Sequence, residues 1–140
     1  MNNPSNPCGT SYSREHLLAI LDLAKKHRLP VISDEVYADM VFSGQTFHSM
    51  QALSQVSELD FEFLLLPFEK DVPLLVCGGI AKRFMVPGWR VGWVVVCDRN
   101  DQFRKGKIVE GIQRLSQTIL GCCSLIQAVV PFLLEKTPAR

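Results

Sequence analysis

The chain has 140 residues, of which 47% are apolar and 21% are charged, and its formal net charge is +1. These values are typical of one globular domain, and the near-neutral charge without lysine or arginine clusters argues against nucleic acid as the main partner. The longest apolar runs, at 63–67 and 129–134, are too short to cross a membrane, and each includes a proline.

The cysteines and histidines argue against disulfides and metal binding. Five cysteines without Cys-x-x-Cys spacing predict free thiols in a reducing compartment. The three histidines have no metal-ligand spacing, so no metal is expected. Met1 is followed by neither a basic nor an apolar segment, so no signal peptide is visible. A cytoplasmic location is therefore expected, with a mitochondrial one left open.

The N-terminal part predicts a shaped loop, a helix and a strand. Residues 2–9 contain two Asn-Pro pairs and a glycine, which exclude regular structure and would hold the amide of Asn6 rigidly. The alternative for this segment is an ordinary surface loop. Ser13 is a predicted N-cap, because apolar residues at helical spacing follow it. A short apolar strand at 31–33 then runs into Asp34.

Asp34 and Tyr37 stand three residues apart where this strand ends. If the chain turns helically there, both side chains face one ligand while Glu35 points elsewhere. A carboxylate at a buried strand end needs a partner, because an unpaired buried charge is costly. Two interpretations stay open for Asp34: it binds the protonated ring nitrogen of a cofactor, or it caps the following turn.

The rest of the pattern predicts an α/β fold. Residues 41–54 are loop-like, whereas apolar runs at 72–77 and 91–97 predict two further strands, the second covered on both faces. The spacing of apolar residues predicts one amphipathic helix over 102–120 and another helix over 125–136. In such folds, ligands bind beyond the carboxyl ends of the strands.

The stretch 78–93 carries the candidate chemistry. Lys82 follows the small-residue run Gly-Gly-Ile-Ala, and Arg90 follows Pro-Gly-Trp. A lysine with little bulk behind it can reach a carbonyl carbon, and a guanidinium held close by can clamp a phosphate. These features predict a Schiff base between Lys82 and pyridoxal phosphate, with Arg90 on the phosphate. The alternative is a solvated surface lysine beside ordinary glycine turns.

Four separated motifs occur in one order: Asn-Pro-Ser-Asn-Pro-Cys-Gly at 3–9, Asp-Glu-Val-Tyr at 34–37, Gly-Gly-Ile-Ala-Lys-Arg-Phe at 78–84 and Val-Pro-Gly-Trp-Arg-Val-Gly-Trp at 86–93. In this order they resemble the class I and II aminotransferases of fold type I, which depend on pyridoxal phosphate. The residues around Lys82, with Tyr-Ala-Asp-Met-Val-Phe at 37–42 and Leu-Ser-Gln-Thr-Ile-Leu-Gly at 115–121, look most like the tyrosine-aminotransferase group of that family. The resemblance covers nearly the whole chain except residues 55–70.

The resemblance implies a role for each candidate residue. Lys82 would bind the cofactor covalently and then move the proton between the α-carbon of the amino acid and the cofactor. Asp34 would keep the pyridine nitrogen protonated, and Arg90 would pair with the phosphate. Tyr37 and Asn6 would hydrogen-bond the phenolic oxygen of the ring.

The implied reaction is amino transfer from an aromatic amino acid, such as tyrosine, to a 2-oxo acid such as 2-oxoglutarate, catalysed by a homodimer. The implied fold is part of a three-layer α/β/α large domain. One alternative is a catalytically inactive fragment that acts at most as a binding partner. The other is a different enzyme of the same fold type, such as a carbon–sulfur lyase or an aminocyclopropane-carboxylate-synthase relative.

The chain departs from the family pattern in three respects. Gly79 occupies the position where many relatives have a serine that assists phosphate binding, so Arg90 would have to hold more of the phosphate. The upstream segment and the downstream small domain of the family are missing, so residues 1–140 are expected to form the central part of the cofactor-binding large domain. Residues 55–70 have no counterpart, and they are either a surface insertion or translated non-coding sequence.

Overall fold

The computed structural model describes residues 1–55 and 72–136. Within these residues three strands form one sheet: β1 Val31–Asp34, β2 Leu74–Gly79 and β3 Gly92–Cys97. β2 lies in the middle, parallel to β1 and antiparallel to β3. Helices and strands alternate along the chain, which confirms the predicted α/β fold.

Six α-helices accompany the sheet in the described residues. They are α1 Arg14–His27, α2 Met50–Gln55, α3 Ile80–Arg83, α4 Gln102–Lys105, α5 Ile108–Ile119 and α6 Ser124–Lys136. A 3₁₀ turn spans Pro87–Trp89. Apart from residue 55, the atypical segment 55–70 lies outside the described residues. Among the helices that the structure describes, none has the length and apolarity needed to span a membrane.

Helix α1 begins at the predicted cap. The Ser13 hydroxyl oxygen accepts a hydrogen bond from His16 N at 3.2 Å, which satisfies one of the free amides of the first helical turn. The backbone amide of Glu15 and then the Ser13 hydroxyl lower the pKa of the Glu15 carboxyl. The stabilisation from this carboxylate is therefore present above its unfolded pKa and is lost as the pH falls through its lower folded pKa.

Replacing Ser13 with alanine is expected to lower the free energy of unfolding by about 1 kcal/mol, the usual cost of losing an N-cap hydroxyl. Urea unfolding followed by far-ultraviolet circular dichroism measures this change. Ser43→Ala is the matched control, because Ser43 is exposed and lies outside every helix and strand. Equal unfolding free energies for the two variants would contradict the prediction.

The hydrophobic core lies between one face of the sheet and the pair of helices α1 and α2. Its buried side chains come from both helices, from β2 and from the residues just before β2: Leu17, Leu21, Ala24, Met50, Leu53, Val72, Leu74 and Val76. The opposite face is only partly covered. Phe103 of α4 is buried at one end, where it lines a cleft with Ile32.

The prediction that β3 is covered on both faces is wrong within the described residues. Val94 and Val96 are 46% and 37% exposed, and they share their face of the sheet with Ile32, which is 58% exposed. A run of valines is typical of a strand that is buried on both faces of a sheet. β3 departs from that pattern because it lies at an edge of the described sheet.

Two predicted boundaries also differ from the structure. β2 was predicted at 72–77 but ends later, because Gly78 pairs with Trp93 and Gly79 pairs with Gly92 of β3. The helix predicted over 102–120 is divided into α4 and α5. The break follows from Lys107, whose φ of 58° is left-handed and cannot continue an α-helix.

Helix α2 lies in a region that was predicted to be loop. Its first residue, Met50, donates its backbone N–H to the Glu35 carboxylate at 2.9 Å, and the Ser33 hydroxyl donates to the same oxygen at 3.0 Å. Glu35 is only 8% exposed. The side chain of Glu35 is therefore buried between the end of β1 and the start of α2.

Candidate active site

The N-terminal loop is held in place by its own asparagines. The backbone N–H of Asn6 donates to Asn2 Oδ1 at 2.6 Å. Asn3 is fully buried: its amide donates to His48 O at 3.2 Å, and its Oδ1 accepts from Tyr12 N at 3.0 Å. The backbone N–H of Asn3 also donates to Asp34 O at 3.0 Å, which holds the loop beside the end of β1.

Tyr37 lies in the tight turn that follows β1. Backbone bonds from Ala38 N to Glu35 O and from Met40 N to Tyr37 O, at 2.9 and 2.8 Å, close this turn. The Asn6 amide donates to the Tyr37 hydroxyl oxygen at 3.3 Å. The phenol therefore accepts one bond and keeps its own O–H available for a further acceptor.

Asp34 ends β1 and caps the turn. Its Oδ1 accepts from Val36 N at 3.2 Å, which confirms the capping interpretation. The second oxygen, Oδ2, has no hydrogen-bond partner in the part of the chain that the structure describes, so capping leaves it available to a ligand. Asp34 pairs in register with Cys77 of β2. Burial, and then the charge of Asp34, raise the pKa of the Cys77 thiol, which keeps it protonated at neutral pH.

Lys82 lies in the short helix α3, directly after β2. Its side chain is exposed, and its Nζ lies 5.5 Å from the centroid of the Tyr37 ring. Within residues 1–55 and 72–136, no carboxylate is within salt-bridge distance of this ammonium group. The Lys82 amine therefore lies near the Tyr37 ring and forms no salt bridge with a carboxylate of the described residues.

Arg90 follows the 3₁₀ turn in a left-handed conformation, with φ 54°. Its Nη1 donates to Pro87 O at 3.0 Å, and no described carboxylate pairs with it. The next residue, Val91, accepts a hydrogen bond from Ile80 N at 3.4 Å, which places the backbone beside α3. Arg90 is thus an exposed cation, held at one nitrogen, at the same end of the sheet as Lys82.

The five candidate residues divide into two sets. Contacts between side chains join Asn6, Tyr37 and Lys82. Asp34 and Arg90 are placed at the same end of the sheet by strand register, while their side-chain hydrogen bonds go to nearby backbone. The arrangement provides an amine, a phenol–amide pair, a carboxylate oxygen and a guanidinium.

The glycines before Lys82 serve strand packing. A Cβ added at Gly78 would lie 2.5 Å from Trp93 Nε1, because the indole lies across this residue. A Cβ at Gly79 would lie 3.1 Å from the backbone oxygen of Val91. The sequence indicated that small residues give the lysine room to reach a carbonyl carbon. The structure adds a different reason, which is the close approach of β3.

Replacing Gly78 with alanine is expected to displace the Trp93 indole and to cost about 1–3 kcal/mol, as overpacking usually does. The matched control is Gly88→Ala, since a Cβ at Gly88 meets nothing within 4 Å. Tryptophan fluorescence and the urea midpoint measure the two effects. An alanine variant at 78 with unchanged emission and midpoint would contradict the packing of Trp93 on Gly78.

The donor set fits pyridoxal phosphate. The exposed Lys82 amine suits the aldehyde, the free Oδ2 of Asp34 suits a protonated ring nitrogen, and the Tyr37 hydroxyl suits the phenolic oxygen. Arg90 suits the phosphate, because its guanidinium has no acidic partner among the described residues. The charges of the Asp34 and Arg90 side chains are thus opposite to those of the protonated ring nitrogen and the phosphate.

Comparisons with known proteins identify the family of this chain. The family model described as "Aminotransferase class I and II" matches residues 1–140. Over 135 residues the chain is 47% identical to the tyrosine aminotransferase of Dictyostelium discoideum, a match that covers 96% of this chain and 29% of that protein. It is also 34% identical over 134 residues to an S-alkyl-thiohydroximate lyase of Arabidopsis thaliana, covering 96% of this chain and 26% of that protein.

Among solved structures, the crystal structure of tyrosine aminotransferase from Leishmania infantum matches with a TM-score of 0.81 and 38% identity. The match covers 99% of this chain and 30% of that one. The fold is therefore that of the fold-type-I aminotransferases, as predicted. The chain spans less than a third of the length of the relatives named here.

Proposed function

Because the chain belongs to the class I and II aminotransferases, we propose that it forms the central part of the cofactor-binding large domain of such an enzyme. The intact enzyme transfers an amino group from an aromatic amino acid to a 2-oxo acid such as 2-oxoglutarate. The observation that carries this proposal is the group of Asn6, Tyr37 and Lys82 at the end of the sheet. The names of the two tyrosine aminotransferases among these relatives support an aromatic donor such as tyrosine.

Pyridoxal phosphate is the cofactor that this proposal requires. When bound, it withdraws the electrons that remain after the amino acid loses its α-proton. Lys82 would hold its aldehyde carbon, and the free oxygen of Asp34 would bind the ring N–H. The Tyr37 hydroxyl, oriented by Asn6, would donate to the phenolic oxygen, and Arg90 would hold the phosphate.

Lys82 also carries the proton in this proposal. The Lys82 amine would remove the proton from the α-carbon of the bound amino acid. Among the described residues no carboxylate pairs with the Lys82 amine, so no ion pair ties its side chain to another group. The centroid of the Tyr37 ring lies 5.5 Å from Nζ of Lys82, so the phenol and the amine border the same space.

The intact enzyme is proposed to be a homodimer in the cytoplasm, with an amino acid and a 2-oxo acid as substrates and without nucleic-acid or membrane partners. The test is to express the full-length protein, supply pyridoxal phosphate, and measure glutamate formed from tyrosine and 2-oxoglutarate. The 140-residue chain assayed alone is expected to show no turnover. A full-length protein that binds the cofactor but forms no glutamate from any aromatic donor would refute the proposal.

A second candidate is a carbon–sulfur lyase on the same fold, and the lyase relative from Arabidopsis favours it. Product identification separates the two reactions: a lyase releases a thiol from a sulfur-containing substrate, whereas amino transfer forms glutamate. The other alternative is an inactive fragment that only binds a partner. It predicts that cells express the 140-residue chain alone and make no protein of greater length that contains it.

A further inference from the structure

An ion pair joins the two segments that carry Lys82 and Tyr37. Arg83 Nη1 lies 2.9 Å from Asp39 Oδ2, and the two side chains are only 23% and 33% exposed. Arg83 follows Lys82 directly in α3, and Asp39 belongs to the same turn as Tyr37. The pair therefore connects neighbours of the two candidate residues.

The pair lies at a cleft that side chains do not fill. A cleft of about 210 Å³ lies between the turn after β1 and the β2–α3 junction, and both Asp39 and Arg83 line it. At the base of this region, Glu35 N donates to Cys77 O at 2.9 Å, which fixes where the two segments start. The ion pair is a second connection between the two segments.

Both ends of the pair are themselves constrained. On the α3 side, the Arg83 guanidinium also lies 5.1 Å from the centroid of the Phe84 ring, within the range of a cation–π contact. On the other side, Asp39 and Tyr37 belong to the same hydrogen-bonded turn around Ala38, so a displacement of one displaces the other. A shift of Asp39 relative to Arg83 would therefore change the distance between the Tyr37 ring and Lys82 Nζ.

We propose that Asp39 and Arg83 are positioning residues, whose ion pair holds the turn against α3 and thereby sets the spacing between the Lys82 amine and the Tyr37 phenol. The inference rests on the proposed function, because the spacing matters only if both groups act on one bound molecule. A partly exposed pair adds little to stability. Misplacing a reacting group by an ångström, in contrast, costs up to about 100-fold in rate.

The first experiment compares Asp39→Asn with the parent in the full-length enzyme loaded with pyridoxal phosphate. We expect kcat to fall roughly 10-fold while KM for the amino acid changes less than about 2-fold, because orientation and not substrate binding is lost. Asp39→Glu, which keeps the charge, is expected to recover most of kcat. The matched control is Glu110→Gln, which removes the exposed pair with Arg114 on α5.

The second experiment does not depend on turnover. Protein freed of cofactor is mixed with pyridoxal phosphate and reduced with borohydride, and the yield of modified Lys82 over time is read by mass spectrometry. Asp39→Asn is expected to slow the modification of Lys82, whereas Glu110→Gln is not. Melting temperatures of both variants close to that of the parent would show that the fold is kept.

The outcomes separate the two proposals. Unchanged kcat and an unchanged labelling rate in Asp39→Asn overturn the positioning role. A fall in kcat that Asp39→Glu does not recover at all also overturns it. If the parent itself shows no amino transfer, the proposed function fails, and the labelling rates alone then decide the positioning role.

Discussion

Replacing Lys82 with alanine is expected to lower kcat for amino transfer by roughly 1,000-fold or more in the intact enzyme. The same amine is proposed both to hold the cofactor and to move the substrate proton, so one substitution removes both contributions. Initial rates with tyrosine and 2-oxoglutarate measure the loss. The absorption band of cofactor bound covalently to the protein is expected to disappear in the same variant.

The control for this experiment is Lys26→Ala. Lys26 lies in the last turn of α1, is exposed, and carries the same charge far from the sheet end that holds Lys82. Its replacement is expected to leave the rate and the absorption band unchanged. A Lys82→Ala enzyme that keeps a tenth or more of the parent's rate would show that another group performs the proton transfer.

Replacing Glu35 with alanine is expected to lower the free energy of unfolding by about 3 kcal/mol, because two donors lose their acceptor in a buried place. These donors are the Ser33 hydroxyl and the backbone N–H of Met50, at 3.0 and 2.9 Å from the same carboxylate oxygen. Ser33 and Met50 are both fully buried, so water cannot replace the missing hydrogen bonds without a cost in free energy. Urea unfolding measures the change.

Two further variants identify the cause of that loss. Glu35→Gln keeps an acceptor oxygen of the same shape, so most of the stability is expected to remain. Glu110→Ala removes an exposed carboxylate of α5 and is expected to cost less than about 1 kcal/mol. If Glu35→Gln proved as damaging as Glu35→Ala, the negative charge and not the acceptor geometry would be responsible.

Local signals in the sequence were sufficient for the elements that depend on near neighbours. The cap at Ser13 is bonded to His16, three residues away, so the start of α1 could be read directly. The strand that ends at Asp34 and the approximate place of β3 followed from short apolar runs. The candidate residues were found in the same way, because each belongs to a motif of a few consecutive residues.

The parts that sequence reasoning missed depend on residues that are far apart along the chain. The start of α2 is bonded to Glu35, fifteen residues before Met50, and no local pattern around Met50 records that bond. The amide of Asn3 binds the His48 carbonyl across 45 positions. Neither partner carries a signal that a scan of neighbouring residues detects.

What the sequence by itself determined is the chemistry available: an amine at Lys82, a carboxylate at Asp34, a phenol at Tyr37 and a guanidinium at Arg90. Only the tertiary structure decided which of these groups meet. The parallel pairing of β1 with β2 brings the turn after one strand beside the helix after the other, and Tyr37 thereby comes within 5.5 Å of Lys82. Such contacts arise from strand register, which is set by burial of one sheet face and not by any single motif.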